Sequence, residues 1–177
     1  GVFSPINRLH SSSNPFCGKE PWNYPEPYCS DMEKILRFRH ALIPYMYTLN
    51  YRCHCEHIPV IIPMYYYYPF EEKAYSYKNQ YFLGSEMLVC PVTTKIDEDS
   101  QKSGEDCFIP AGIWTDIFTG DVYNGGKNGK SQILCRNLLS IPVLGRAGAI
   151  IPLASECGSN DIINPKNSEA KQKYADL

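Results

Sequence analysis

The 177-residue sequence has no apolar run of the ~18 residues that a membrane-spanning helix needs, and its start lacks the pattern of a signal peptide. It contains no Asn-x-Ser/Thr acceptor site for N-glycosylation. Neither charge is in excess: 17 Lys and Arg residues face 19 Asp and Glu residues, so nucleic acid or an anionic membrane is not expected as a partner. Hydrophobic residues make up 44% of the chain, which is enough for a packed core.

Cysteine is abundant, but its distribution is not that of a disulfide scaffold. Small secreted disulfide domains are shorter and have fewer core residues than this chain. We therefore expect free thiols and a reducing, cytoplasmic location. The eight cysteines are scattered through apolar and loop segments alike: Cys17, Cys29, Cys53, Cys55, Cys90, Cys107, Cys135 and Cys157.

The first third of the chain predicts a strand, a polar loop, a long helix and a second strand. "VFSPINRLH" favours a buried strand, and "SDMEKILRFRHALIPYMYTLNYRCHCEH" has apolar residues at helical spacing. Ser30 and Glu33 have the spacing of a capping box, and Pro44 predicts a kink or break within the helix. "IPVIIPMYYYYP" is typical of a strand buried on both faces, so the order predicts a βαβ unit.

After about Ala74 the pattern changes to short strands separated by turn residues, which predicts an antiparallel all-β region. Thr119 and Gly120 are expected to form a hairpin turn between "IWTDIF" and "DVY". The tail from Ser155 is polar and aperiodic, typical of loosely ordered chain. One βαβ unit leaves strand edges and an apolar face uncovered, so we expect the chain to be the last part of something larger.

Seven stretches of the chain stand out together: "FSPINRLHSS", "GKEPWNY", "LRFRHALIPYMYTLNYRCH", "IPVIIPMYYYYP", "NQYFLGSEMLVCPVTT", "IPAGIWTDIFTGDVYNGG" and "IPVLGRAGAIIPL". In their order and spacing they resemble glycoside hydrolase family 31, the retaining α-glucosidases and α-xylosidases. The resemblance implies an α+β fold. Residues 1–75 would be the last βαβ portion of a catalytic (β/α)8 barrel, residues 76–153 an antiparallel β-sandwich, and residues 154–177 a polar tail.

The resemblance also implies that no catalytic residue lies in this chain. Retaining hydrolysis needs a nucleophile and an acid/base close together, and in this family both are aspartates on earlier barrel strands. Asp31 in "SDMEK" resembles the nucleophile stretch only superficially, because it falls in the first turn of the predicted helix. No metal and no organic cofactor is expected.

Three residues of the opening segment are candidate substrate ligands. The resemblance places His10 at the end of the seventh barrel strand, as a hydrogen-bond partner of sugar hydroxyls; alternatively it only holds its loop. Arg8 on the same strand either contacts the sugar or orients a carboxylate. Trp22 either stacks on a sugar face or, together with Glu20 and Pro21, anchors the loop before the helix, with an arginine as the partner of Glu20.

Two other clusters were weighed against structural explanations. "RCHCEH" suggests a metal site, but Cys53, His54, Cys55 and His57 on one helix cannot converge on a tetrahedral centre. In a strand, about half of the four tyrosines at 65–68 would be core residues. Tyr67 and Tyr68 are the better candidates for a pocket rim, because they are nearest the end of the predicted strand.

The chain departs from the family at two positions. Ile62 stands where an arginine is usual, and Tyr67 stands where an acidic residue is frequent. Removing one member of a buried charge pair leaves the other charge without a partner, at a severe cost in stability. The absence of both residues therefore indicates that the two substitutions compensate for each other.

The resemblance therefore implies a fragment of a retaining, exo-acting α-glucosidase-like hydrolase that acts on α-linked oligosaccharides or glycosides. It would supply part of the sugar pocket and be inactive alone. One alternative is a non-catalytic carbohydrate-binding or interaction module in which the β-sandwich does the binding. Another is a piece that works only with the missing N-terminal part of the enzyme. Self-association through the exposed barrel edge is also expected.

Overall fold

The computed structural model describes residues 1–10 and 16–154, which form two compact units. The polar tail and Cys157 lie outside the described residues. A helical unit comprises Val2, Leu9–Thr48 and the chain from Pro152, and a sheet unit comprises Gly1, Phe3–Arg8 and Leu49–Ile151. None of the helices in the described ranges has the length and hydropathy needed to span a bilayer.

The long predicted helix is present as two consecutive helices. Helix α1 spans Tyr28–Ala41 and α2 spans Ile43–Glu56, with Leu42 between them. The break predicted around Pro44 is therefore confirmed, because proline supplies no N–H to continue the hydrogen-bond ladder. Within the helical unit, Leu42 and Tyr45 are buried, and the N–H of Ala154 donates to the carbonyl of Ala41.

The capping box predicted at Ser30 is wrong. Helix α1 starts two residues earlier, after Pro27, which has no side-chain cap. The Glu26 carboxylate instead accepts hydrogen bonds from the Ser30 hydroxyl and from the Ser30 N–H, the latter at 3.4 Å. An acidic side chain from the preceding turn thus satisfies a free N–H of the first helical turn.

Among residues 1–10 and 16–154 the first predicted strand does not form, so the predicted βαβ unit is not found there. Residues 1–10 are irregular, because none of the described strands pairs with them, and a strand needs a neighbour for its backbone groups. The second strand, β1, is limited to Ile61–Pro63 and pairs antiparallel with β2, not parallel. The tyrosine run forms a short helix, α3 (Met64–Tyr67). A further helical turn, α4, spans Lys73–Ser76.

The all-β region is confirmed. Its strands form a six-stranded antiparallel sheet in the order β1-β2-β3-β8-β5-β6 and a two-stranded sheet of β4 and β7. The chain is therefore α+β, with two antiparallel sheets. The strands are β2 (Tyr81–Leu83), β3 (Met87–Val89), β4 (Ser103–Ile109), β5 (Ile113–Asp116), β6 (Val122–Asn124), β7 (Lys130–Arg136) and β8 (Val143–Arg146).

The two sheets share one hydrophobic core. Trp114 of β5 lies at its centre, fully buried, and its indole N–H donates to the carbonyl of Pro110 at 3.0 Å. Both sheets contribute to the cluster, as in a β-sandwich. Its strand residues include Ile62, Phe82, Leu88, Cys107, Phe108, Ile109, Trp114, Leu134 and Leu144.

The hairpin predicted at Thr119 and Gly120 joins β5 to β6. Gly120 has a φ of +76°, which glycine adopts without strain, and its N–H donates to the carbonyl of Asp116 at 2.9 Å. The Asp116 carboxylate accepts from the backbone N–H groups of Phe118 and Thr119.

The predicted division of the chain after residue 75 stays a prediction.

Candidate functional site

His10 is exposed at the end of the irregular opening segment. In the described chain its ring makes no hydrogen bond, ion pair or ring contact. At the start of this segment, the Arg39 guanidinium of α1 donates to the carbonyl of Val2 at 2.8 Å. Burial lowers the pKa of Arg39, and the carbonyl partner helps to compensate for that burial. Because the His10 ring has no such interaction, its side chain is available to bind a ligand. Its role as a sugar ligand stays a prediction.

Arg8, in the sheet unit, is exposed as well. Its segment is held by the Tyr81 hydroxyl, which donates to the carbonyl of Phe3 at 2.9 Å, and by an edge-to-face contact of the Phe3 and Phe118 rings at 6.0 Å. No carboxylate of residues 1–10 or 16–154 pairs with Arg8. Both of its proposed roles, contact with a sugar and orientation of a carboxylate, stay predictions.

Trp22 belongs to a 3-10 turn, Pro21–Asn23, and 76% of its surface is exposed. The buried residue of this turn is Pro21, so the proline and not the indole ring holds the loop. Glu20 accepts a hydrogen bond from the Asn23 amide at 2.8 Å instead of pairing with an arginine. An exposed indole face is what stacking on a sugar requires.

Asp116 and Asp31 each have interaction partners within the described chain. Asp116 is the one buried carboxylate there, and Arg136, Phe118 and Thr119 already supply its hydrogen bonds. Asp31 lies in the first turn of α1 with the Lys34 ammonium 3.6 Å away. Neither acid is placed for the two-carboxylate chemistry of retaining hydrolysis.

The tyrosine run lies partly on the surface. Tyr65 stacks on Tyr75 with ring centroids 5.6 Å apart and planes 12° from parallel, and the Tyr75 hydroxyl donates to the carbonyl of Pro69. Tyr67 meets the ring of Phe82 edge-on at 5.1 Å, and burial raises its pKa. The alternation expected of a strand is wrong here, because a helix distributes these side chains around an axis.

The position of the missing family arginine, Ile62, is fully buried in the apolar core. An arginine there would need a buried partner, and Tyr67 supplies no charge. The apolar residue and the tyrosine are therefore mutually consistent.

The "RCHCEH" segment ends helix α2. Helix α2 stops at Glu56, and His57 follows it with a φ of +58°, as at many helix C-termini. Cys53 is half-buried and Cys55 is exposed. No group of three or more His, Cys, Asp or Glu side chains in the described ranges is arranged to hold a metal ion.

One feature had no signal in the sequence analysis: a cavity of about 600 Å³ beside β4, lined by residues 76–80, Cys90, Pro91, Glu105 and Asp106. Its polar residues are far apart in the sequence and match no motif. They meet because β4 borders the turn that follows α4, and only the tertiary structure shows this.

Two family models match the chain in succession. The glycosyl hydrolases family 31 TIM-barrel domain matches residues 1–49, and the glycosyl hydrolase family 31 C-terminal domain matches residues 57–151. The second match alone covers more than half of the chain, so the chain belongs to glycoside hydrolase family 31. The resemblance stated from the seven stretches is confirmed.

Individual proteins agree with this assignment. Neutral alpha-glucosidase C of Mus musculus is 33% identical over 162 residues, and the match covers 90% of this chain but 17% of that protein. The alpha-xylosidase of Saccharolobus solfataricus is 28% identical over 182 residues, with 99% and 23% covered. The crystal structure of the GH31 alpha-xylosidase from Xanthomonas citri matches with a TM-score of 0.77 and 29% identity, covering 92% of this chain and 17% of that one. The chain thus spans about a fifth of the length of these proteins.

Proposed function

We propose that this chain is part of a retaining, exo-acting α-glucosidase-like hydrolase that supplies one part of the sugar pocket and none of the catalytic acids. The observation that carries the proposal is the succession of the two family models, with the exposed His10 inside the barrel match. The relatives are called α-glucosidases and α-xylosidases, which supports α-linked oligosaccharides or glycosides as the substrate class.

His10, Arg8 and Trp22 are the proposed substrate ligands. An imidazole offers one donor and one acceptor to neighbouring hydroxyls, a guanidinium offers several donors, and an indole face packs on the C–H groups of a pyranose. All three side chains are exposed and make no hydrogen bond, ion pair or ring contact with other described residues.

The chemistry needs a nucleophilic carboxylate and a second carboxyl group that protonates the leaving oxygen. In this proposal neither acid lies in this chain, and the chain alone is inactive. The acids come from the preceding part of the enzyme, which is the main proposed partner. Self-association through the uncovered barrel edge and a cytoplasmic location belong to the same proposal. The seven described cysteines, all free thiols, support that location.

Complementation tests the proposal. The full 177-residue chain is produced alone and together with the upstream barrel portion of a bacterial family member, and hydrolysis of an aryl α-glucoside is measured. We expect no turnover from the chain alone, turnover from the pair, and loss of that turnover with His10→Ala. Asn7→Ala, at a neighbouring exposed position, is the matched control. Turnover by the chain alone that disappears with His10→Ala would refute the proposal.

A second candidate function is non-catalytic carbohydrate binding by the β-sandwich. The cavity beside β4 favours it, because several polar residues line that cavity, among them Asn79, Glu105 and Asp106. Binding of maltose or isomaltose to the chain, with no need for the upstream portion, is its expected property.

A further inference from the structure

The cavity beside β4 lies within the sheet unit and includes none of the residues proposed for the barrel pocket. Its volume is about 600 Å³, and its walls are the turn after α4 (residues 76–80), Cys90 and Pro91 after β3, and Glu105 and Asp106 of β4. Such a volume falls in the range of small-molecule sites.

The cavity follows an open strand edge. Strand β4 pairs with β7 on one side only. On the other side, the buried Gln80 amide takes the place of a strand: its Oε1 accepts from the N–H of Phe108 at 3.0 Å, and its Nε2 donates to the carbonyl of the same residue. Asp106 lies two residues before Phe108 in β4, and Gly104 lies two residues before Asp106. At Gly104 the Thr94 hydroxyl donates to the backbone carbonyl at 3.0 Å.

Between these two contacts the backbone of Asp106 is unpaired. Along an antiparallel strand, the N–H and C=O groups of alternate residues point to the same edge. Because those of Phe108 and Gly104 face the open edge, those of Asp106 face it too, and no backbone group of the described chain bonds them there. A donor and an acceptor thus stand side by side at the cavity wall.

The surrounding side chains add fixed and free polar atoms. The Tyr77 hydroxyl donates to Oδ2 of Asp106 at 3.0 Å, and burial raises the pKa of Tyr77, so it stays a neutral donor. Oδ1 of Asp106 and the side-chain amide of Asn79 have no hydrogen-bond partner among the described residues. Glu105 is held on the other side by the N–H of Thr93 at 3.0 Å.

The positions of these polar groups exclude some classes of ligand and favour others. Glu105 and Asp106 are consecutive in a strand, so their carboxylates leave opposite faces and do not converge on a cation. Gln80 and Thr94 occupy the edge on either side of Asp106, so an added peptide strand would find one open residue. Two adjacent hydroxyl groups fit this opening, because each both donates and accepts a hydrogen bond.

We propose that the cavity beside β4 binds a neutral pyranose sugar through two vicinal hydroxyls, held by the backbone N–H and C=O of Asp106 together with the Asn79 amide. This proposal rests on the second candidate function and does not depend on the barrel pocket at His10. The Asp106 carboxylate accepts a further hydroxyl through Oδ1, and Tyr77 holds that carboxylate in position.

The test is a titration of the ¹⁵N-labelled full chain with isomaltose and with maltose, followed by amide NMR signals. We expect saturable shifts of the Asp106 backbone signal and the Asn79 side-chain signal. Asn79→Ala and Asp106→Ala each remove an interaction of about 1 kcal/mol and weaken binding about fivefold. Asp99→Ala, at an exposed aspartate outside the cavity, leaves the affinity unchanged. Well-dispersed spectra of all three variants exclude loss of the fold.

Each other outcome overturns the proposal. An Asp106 signal that does not shift up to about 100 mM sugar shows that the cavity is not a sugar site. Shifts confined to the signals of His10 and Trp22 assign the sugar to the barrel pocket and leave the first proposed function standing. A response of Asp106 to N-methylacetamide but not to sugar assigns the edge to a peptide group.

Discussion

Arg136 at the end of β7 donates from Nη2 to the carboxylate of Asp116 at the end of β5, and this buried ion pair ties the two sheets together. The same carboxylate accepts from the N–H groups of the β5–β6 turn. Burial alone would lower the pKa of Arg136, but hydrogen bonds to Tyr123 and Asp116 raise it, so the guanidinium stays charged. The pair therefore holds the hairpin and the inter-sheet contact at once.

Arg136→Met should lower the free energy of unfolding by about 3–5 kcal/mol, because it leaves a buried carboxylate without its partner. Urea denaturation of the full chain measures this. The double variant Asp116→Asn with Arg136→Met removes both charges and should be more stable than Arg136→Met alone. Lys95→Met, at the exposed Lys95–Glu98 pair, is the control and should change the free energy by less than about 1 kcal/mol. Equal losses from Arg136→Met and Lys95→Met would contradict this role.

Gln80→Leu should destabilise the sheet unit by about 2–4 kcal/mol, because it leaves the buried N–H and C=O of Phe108 unpaired. Gln132→Leu, at a half-buried position on the neighbouring strand β7, is the matched control and should have an effect within about 0.5 kcal/mol. Denaturation midpoints of the two variants give the comparison. If Gln80→Leu is as stable as Gln132→Leu, the amide does not serve as a strand substitute.

The cysteines should react with iodoacetamide in two groups. Cys17, Cys55 and Cys135 are exposed and should be labelled first, whereas Cys90 and Cys107 are buried and should be labelled only when the chain opens. Burial also raises the pKa of Cys90 well above its usual value, which suppresses the reactive thiolate. Mass spectrometry of the peptides over time measures the order, and labelling in urea should abolish it. Labelling of Cys107 as fast as Cys17 in the native chain would contradict the core arrangement.

Asp97 should titrate below its ordinary pKa of 3.8, because the backbone N–H of Ser100, and then its hydroxyl, donate to the ionised carboxylate. Since the folded pKa is the lower one, this contribution to the turn is present above the unfolded pKa. It is lost as the pH falls through the folded pKa. An NMR titration of the Asp97 side chain gives the midpoint. Ser100→Ala should raise it only partly, because the backbone N–H remains. A midpoint at or above 3.8 in the unaltered chain would disprove the assignment.

The parts of the fold that depend on local chemistry were predictable from the sequence. The Thr119–Gly120 turn requires a residue that tolerates positive φ, and Pro44 cannot continue a helix, so both features follow from single residue types. The antiparallel β region was also predictable from the sequence, because turn residues separate its strands at short intervals.

Features that depend on neighbours were not predictable. Residues 2–10 have the composition of a strand, yet the described chain offers them no partner strand. The Tyr65–Tyr68 run has high strand propensity, but its packing on Phe82 and Tyr75 is compatible with a helix, and tertiary contacts outweigh weak local preference. The Glu26 cap was missed because its carboxylate reaches forward four residues and fits no standard capping pattern.

The candidate site shows the same limit. His10, Arg8 and Trp22 were selected by their motif, and the structure adds that all three are exposed. The Asp106 cavity carries no motif, because its donor and acceptor are backbone groups that any residue possesses. Their availability depends on which strand edge stays open, and that is a property of topology.

The Gln80 amide also bears on how the chain behaves at high concentration. A bare strand border is a template on which identical molecules can add one after another into fibres. The Gln80 side chain covers this strand edge at Phe108, where the hydrophobic residues of β4 would otherwise favour association most strongly. We expect this buried side chain, together with Thr94 at Gly104, to limit polymerisation of the chain along the edge of β4.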